Sequence, residues 1–278
     1  MKVIDFRFRP NTPAVIEGIK NSSMFAGLCK AINFDERPKQ SLKEIVKDLD
    51  AREVEVAVIT GRDCEKTYDV PANNKSVLEF CAAYPKKFIG FYGLDPHKGM
   101  DAVREIEHAV KELGMKGAAV DPYLAKIYPN DAKYYPIYAK CCELNIPIIF
   151  TTGPATLVEG AVMDHVAPRY IDFVARDFPE LKIIISHGGY PWVNEAIFVT
   201  QRNANVFLEV SEFELSPQAD AYIQAAKTII PDQFIFASAH PFVEQHNALK
   251  IYKDLPFSKK VRKKIMYKNA HRLLGLGK

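Results

Sequence analysis

Arg7 and Arg9, two residues apart in Asp5-Phe6-Arg7-Phe8-Arg9-Pro10, are the residues of this chain best suited to chemistry. On an extended strand such a pair projects from one face, and each guanidinium is a planar fork of donors matched to a carboxylate or phosphate. By the same spacing Asp5 falls on that face. Other groups that could move a proton or hold an anion are His187 in Ser186-His187-Gly188-Gly189, His240 before Pro241, Asp95 and Asp121 before prolines, and Thr151 with Thr152. An imidazole titrates at about 6.5, so His187 is the candidate acid or base. The prolines hold Asp95 and Asp121 extended, which could fix an acid in place. A threonine nucleophile needs a base beside it, which spacing alone does not supply. There is no Gly-x-Gly-x-x-Gly turn, phosphate loop, His-Glu-x-x-His or Gly-x-Ser-x-Gly, so nucleotide cofactors and a serine nucleophile lack support.

These residues need a scaffold. Short apolar, β-branched runs occur at 2–9, 54–61, 88–94, 115–121, 146–152, 182–187, 206–211 and 234–238. Segments of helical periodicity separate them, at 42–51, 77–84, 102–113, 134–144, 170–178 and 219–229. Strict alternation over eight units predicts an α/β fold, a single (β/α)8 TIM barrel; the 278 residues match the roughly 250 typical of one. The whole chain, 1–278, then forms one domain. The long irregular stretch 10–40 follows the first strand and is expected to be a lid or binding loop over the mouth. Barrels of this kind carry their chemistry at the C-terminal strand ends, which is where Arg7, Arg9, Arg62, Asp95, Asp121, Thr151, His187, Glu212 and His240 fall.

Composition removes several classes of function. The 37 basic and 34 acidic residues leave a formal charge of +3 spread along the chain, which argues against a nucleic-acid partner. The one basic run, Lys259, Lys260, Arg262, Lys263 and Lys264, reads as the solvated face of a last helix. No apolar run approaches about 18 residues, and the alternating start is unlike a signal peptide, so no membrane partner is expected. Cys29, Cys64, Cys81, Cys141 and Cys142 are odd in number and lack paired Cys-x-x-Cys spacing. They predict reduced thiols in a cytoplasmic protein, with neither a zinc site nor a disulfide framework.

Three stretches are specific: Arg176-Asp177-Phe178-Pro179-Glu180-Leu181-Lys182 running into Ser186-His187-Gly188-Gly189-Tyr190-Pro191-Trp192, the segment 88–96, and the ending Asn269-Ala270-His271-Arg272-Leu273-Leu274-Gly275. With them, nearly the whole chain resembles the amidohydrolase-related barrels that include aminocarboxymuconate-semialdehyde-decarboxylase-like enzymes. The resemblance implies hydrolysis or decarboxylation of small carboxylates, often by a homodimer. It also implies a divalent metal held by His-x-His after strand one, a histidine after strands five and six, and an aspartate after strand eight. In this sequence those positions hold Arg7 and Arg9, Thr151, His187 and Ala239. Catalytic zinc takes about three protein ligands, and a guanidinium has no lone pair to give. Two fixed cations also repel a divalent ion. The sequence therefore predicts no metal and no other cofactor.

Two readings of the arginines follow. In one they replace a lost metal as the positive centre and pair with Asp5, Asp95, Asp121 or Glu209. In the other they bind a small organic anion, with Asp121, Thr151 and His240 lining the site and His187 as the catalytic residue. The functional counterparts are a metal-independent hydrolase or carboxy-lyase, and a non-catalytic descendant that binds an anionic metabolite or a partner protein.

Overall fold

A computed structural model describes residues 1–277. Among them, seven strands form one parallel sheet in sequence order: β1 (Val3–Asp5), β2 (Val54–Thr60), β3 (Phe88–Gly93), β4 (Gly117–Val120), β5 (Ile148–Thr151), β6 (Ile183–Ser186) and β7 (Val206–Leu208). The strands are mostly apolar because each serves two layers. Ile184 of β6 packs inside the ring with Ile4, Phe6, Val58, Ile149 and Phe207. Its neighbours Ile183 and Ile185 instead join the layer between sheet and helices, with Ile148, Phe150, Ile171 and Val174. Burial on both faces is what a strand covered by helices requires, and each such side chain contributes about 1.5–3 kcal/mol. Helix Leu42–Ala51 shows how the outer layer is set: Ser41 and Glu44 form a reciprocal capping box that starts it, and Ile45 and Leu49 turn inward.

The eighth run, expected at 234–238, is not a regular strand. It lies parallel between β7 and β1 and closes the ring through isolated bridges, Leu208 to Phe234 and Phe8 to His240. The Ile235 N–H donates to the Leu208 carbonyl at 2.9 Å, and that of Phe6 to Phe236 at 3.0 Å. Two of its own donors leave the ladder, which is why it stays irregular. The Phe236 N–H goes to the Ile265 carbonyl at 3.1 Å, and that of Ser238 to the Asp5 carboxylate at 2.9 Å.

The stretch 10–40 is likewise not the irregular loop its sequence predicts. It holds helices Pro13–Lys20 and Ala26–Ala31 and 3-10 turns Ser23–Phe25 and Phe34–Glu36. Ile16, Phe25, Leu28 and Phe34 pack with Tyr123, Ala155, Val166 and Phe242 in a separate apolar cluster over the barrel mouth. Helices of six to eight residues are too short to impress a 3.6-residue period on the sequence, and tertiary packing supplies the order.

Candidate functional site

The site begins with a change of parity in the first strand. Ile4 and Phe6 face the ring interior, whereas Phe8 belongs to the outer layer, stacked on His240 at 4.8 Å between ring centroids. The backbone therefore bends at Phe6 and Arg7. The bend separates Asp5 from the arginines, against the expectation of a shared face. Asp5 accepts from the Ser238 N–H and from the Gln245 amide, both at 2.9 Å, and touches only the backbone N–H of Arg7, at 3.3 Å. Burial raises its carboxyl to about 6.

Arg7 and Arg9 line one small void together with Arg62, His187, Glu212, Phe25 and Phe242. Both are buried, at 2% and 7% exposure. Arg7 Nη2 donates to Thr151 Oγ1 at 3.2 Å and Arg9 Nη2 to Thr60 Oγ1 at 3.4 Å. Both partners are neutral hydroxyls. Among the described residues, Arg7 Nε and Nη1 have no hydrogen-bond partner. Burial lowers the Arg7 guanidinium from its ordinary value, against the pull of Glu209 and Asp121. Arg9 is driven further down, by burial and then by its neighbours Arg62 and Arg7.

Arg62 differs. Its Nε and Nη2 reach the two oxygens of Asp121 at 3.2 and 3.4 Å. Burial works against this guanidinium, but Asp121 more than offsets it and holds it above its ordinary value. Asp121 in turn lies below the usual carboxylate range: burial opposes its charge, and Arg62 and then Arg7 overcome that. The position of Arg62 is fixed by the preceding residue. A Cβ on Gly61 would meet Asn74 Oδ1 at 2.0 Å and the Gly93 nitrogen at 2.7 Å, so β2 and β3 can end this close only with glycine there. The Arg62 N–H then donates to Asn73 Oδ1 at 2.6 Å.

His187 sits on the far side of the void, 2% exposed. Its Nδ1 lies 3.0 Å from the Ser211 carbonyl, so that nitrogen carries the proton and Nε2 is the ring's acceptor. Burial, then Arg7, holds the imidazole well below its ordinary pKa, and it is neutral at physiological pH. His187 has φ 63°, and Glu212 (74°) and Ala239 (56°), at neighbouring strand ends, are also left-handed. Such conformations cost roughly 1–3 kcal/mol each and collect at functional sites. The two glycines after His187 serve close packing, since a Cβ on Gly188 would meet the Tyr222 hydroxyl at 2.7 Å.

The remaining expectations divide. Asp121 and Thr151 come to the arginines, Asp121 by way of Arg62. Asp95 does not pair with an arginine and instead caps local backbone, accepting from His97 and Lys66 at 2.9 Å each. Glu209 accepts from the Ser186 hydroxyl and from the N–H groups of His187 and Ser211, so it braces the strand ends. His240, expected at the substrate, does not line the void. It stacks on Phe8, and burial, then Arg52 and Arg37, lower it to about 3. Thr152 has no base beside it, since it donates to the Ser186 carbonyl and accepts from Gly189, whereas Thr151 hydrogen-bonds the Asp121 carboxylate that Arg62 already holds. Arg62 and Glu212 are the charged cavity residues left without a role by the sequence. The one signal for them was their place at the ends of strands two and seven.

A metal does not suit this set of side chains. Arg7 and Arg9 have no lone pair to donate and Ala239 has no donor, which leaves Nε2 of His187 as the one nitrogen at these positions able to bind a metal. Among the described residues no three His, Cys, Asp or Glu side chains converge as a metal site would need.

With a parallel α/β ring, an insert across its mouth and a charged void beneath, the comparison with known proteins is direct. The amidohydrolase family model matches residues 29–276, and the chain belongs to that family. It is 24% identical over 250 residues, 74% of this chain and 76% of the other, to a γ-resorcylate decarboxylase of Polaromonas sp.. Among solved structures it resembles an uncharacterised TIM-barrel protein from Bordetella bronchiseptica, with a TM-score of 0.81, 27% identity and 99% of both chains covered. A dihydroxybenzoic acid decarboxylase from Polaromonas sp., solved with bound manganese and the inhibitor 2-nitroresorcinol, shares the fold at a TM-score of 0.68 and 21% identity, covering 100% of this chain and 98% of that one. No helix among the described residues is long and apolar enough to cross a membrane, and all five cysteines are free thiols.

Proposed function

We propose that this protein acts on a small carboxylate-bearing substrate without a metal, by hydrolysis or decarboxylation. In this reading Arg7, Arg9 and Thr151 receive the anion, the Arg62–Asp121 pair borders it, and His187 moves the proton. The whole chain works as one unit with 10–40 as its lid. The observation that carries the reading is under-compensated positive charge in a buried void. Three guanidiniums meet there, one paired with Asp121. The carboxyl that lines the void, Glu212, is raised to about 7 by burial, and Nε and Nη1 of Arg7 have no partner among the described residues. Buried donors without acceptors are costly, and an oxyanion supplies both the acceptors and the missing charge. The similarity to a γ-resorcylate decarboxylase supports an aromatic carboxylate as the substrate class.

The proton chemistry follows from the tautomer of His187. A neutral ring with its acceptor at Nε2 takes a proton, from an attacking water or a substrate hydroxyl, and does not give one. A carboxylate gripped by guanidiniums is stabilised as the anion and resists leaving as CO2. Decarboxylation would need the carboxylate turned away from that grip, so hydrolysis suits the site better. The same grip favours one alternative, anion binding without turnover. The five free thiols support a reducing, cytoplasmic setting, and the family resemblance supports a homodimer, which sedentation by analytical ultracentrifugation measures.

The test is a screen of γ-resorcylate, related phenolic acids and lactones on the purified protein, with elemental analysis of the same sample. His187→Asn should abolish turnover while leaving binding within a few-fold. Stoichiometric manganese or zinc, with turnover lost to a chelator and restored by the metal, would sink metal independence. Binding without conversion of any compound would replace the enzyme reading with the alternative.

A further inference from the structure

Above the inner void lies a second, larger space. This outer chamber, about 250 Å³, is walled by Val15, Ile19 and Met24 of the insert and by Val70 and Pro71 after β2. The inner void measures about 10 Å³, room for about one water molecule. The two share four lining residues, Arg9, Arg62, Phe25 and Phe242, which therefore form the partition between them. Phe25 lies over Arg62, its ring centroid 4.9 Å from the guanidinium carbon, and 6.2 Å from the ring of Phe242. Phe242 is held from the insert, by Phe34 at 5.3 Å and by Arg37 Nη2, which donates to its carbonyl at 2.7 Å.

The volumes decide where a substrate can sit. No organic carboxylate fits inside the inner void, whereas the outer chamber approaches the lower end of small-molecule sites, roughly 300 Å³. Its walls are largely apolar, with Ser22, Asn73 and Ser76 as polar exceptions, and its charged floor is Arg9 and Arg62. We propose that the outer chamber is the subsite for the apolar ring of the substrate, with Arg62 receiving its anionic group and Phe25 the movable wall toward Arg7 and His187. The assignment rests on the anion-binding reading above and adds where the ring goes and which residue meets the charge first. Phe25 suits the part, for it ends a 3-10 turn between two short helices and not a long rigid element. A chamber of this size also limits the substrate to a single ring.

Calorimetric titration of the purified protein with γ-resorcylate, and with resorcinol as its neutral counterpart, tests this. Val15→Trp fills the chamber from the insert side and should weaken both ligands by at least about tenfold. Arg62→Gln should weaken γ-resorcylate by at least about tenfold and leave resorcinol within about twofold. Phe25→Ala should admit 2-naphthoate, which the unaltered protein excludes. If γ-resorcylate binds the unaltered protein and Val15→Trp equally well, the ring is elsewhere and the proposal is overturned while the arginine site stands. If the unaltered protein binds neither γ-resorcylate nor any other monocyclic carboxylate, both readings fall. Should Arg62→Gln not fold because Asp121 is left unpaired, Val15→Trp decides, since Val15 carries no charge and is half-exposed on the insert.

Discussion

Arg62 and the pair Arg7 and Arg9 share one void but occupy opposite electrostatic conditions. Arg62 has a carboxylate on its fork, at 3.2 and 3.4 Å from Asp121. Arg7 and Arg9 have only threonine hydroxyls, and two N–H groups of Arg7 have nothing. A buried ion pair that is complete supports the folded chain before any ligand arrives. A buried cation that is incomplete is poised for something from outside. The contrast makes opposite forecasts for stability and binding.

The largest expected effect is on the complete pair. Asp121→Asn leaves Arg62 unpaired beside two further cations and should destabilise the fold by about 3–5 kcal/mol in urea denaturation. A cost below about 1 kcal/mol would erase the distinction between the arginines. Next comes a buried histidine outside both cavities. His240 is lowered to about 3 from an ordinary 6.5, so it stays neutral in the fold where the unfolded chain binds a proton. Its contribution is intact above pH 6.5 and lost progressively as pH falls toward 3, on the order of a few kcal/mol. His240→Gln should flatten that acid limb and leave anion affinity unchanged. A matching loss of affinity would draw His240 into the site after all. The smallest stability effect belongs to the incomplete pair. Arg7→Met removes a buried cation with no carboxylate on its fork and should shift stability by no more than about 1 kcal/mol, in either direction, while weakening γ-resorcylate at least about tenfold. Stability loss equal to that of Asp121→Asn would mean that Arg7 too is structural.

The sequence carried the barrel further than it carried the site. Runs such as Ile183 to Ile185 are apolar at every position because both faces are buried, and that pattern survives without neighbours. The irregular eighth run could not be read the same way. Its ladder is broken by a carboxylate from Asp5 and a carbonyl from Ile265, each distant along the chain. The insert over the mouth was legible as a long connection but not as helices, because six to eight residues are ordered by what they pack on. Asp5 was misplaced for a local reason: spacing by two assigns a common face only while the strand stays straight, and this one bends after Phe6.

By itself, then, the amino-acid sequence determined the alternating α/β architecture, the amidohydrolase resemblance, and the presence of guanidiniums where that resemblance implies metal ligands. These are properties of residue type and order, and they need no coordinates. Which arginine is paired was decided only in three dimensions. Arg62 and Asp121 lie 59 residues apart, and Arg7 and Thr151 144. The charge state of a buried group depends on the few ångströms around it, so three arginines of identical chemistry beyond the ends of two neighbouring strands become two open forks and one ion pair.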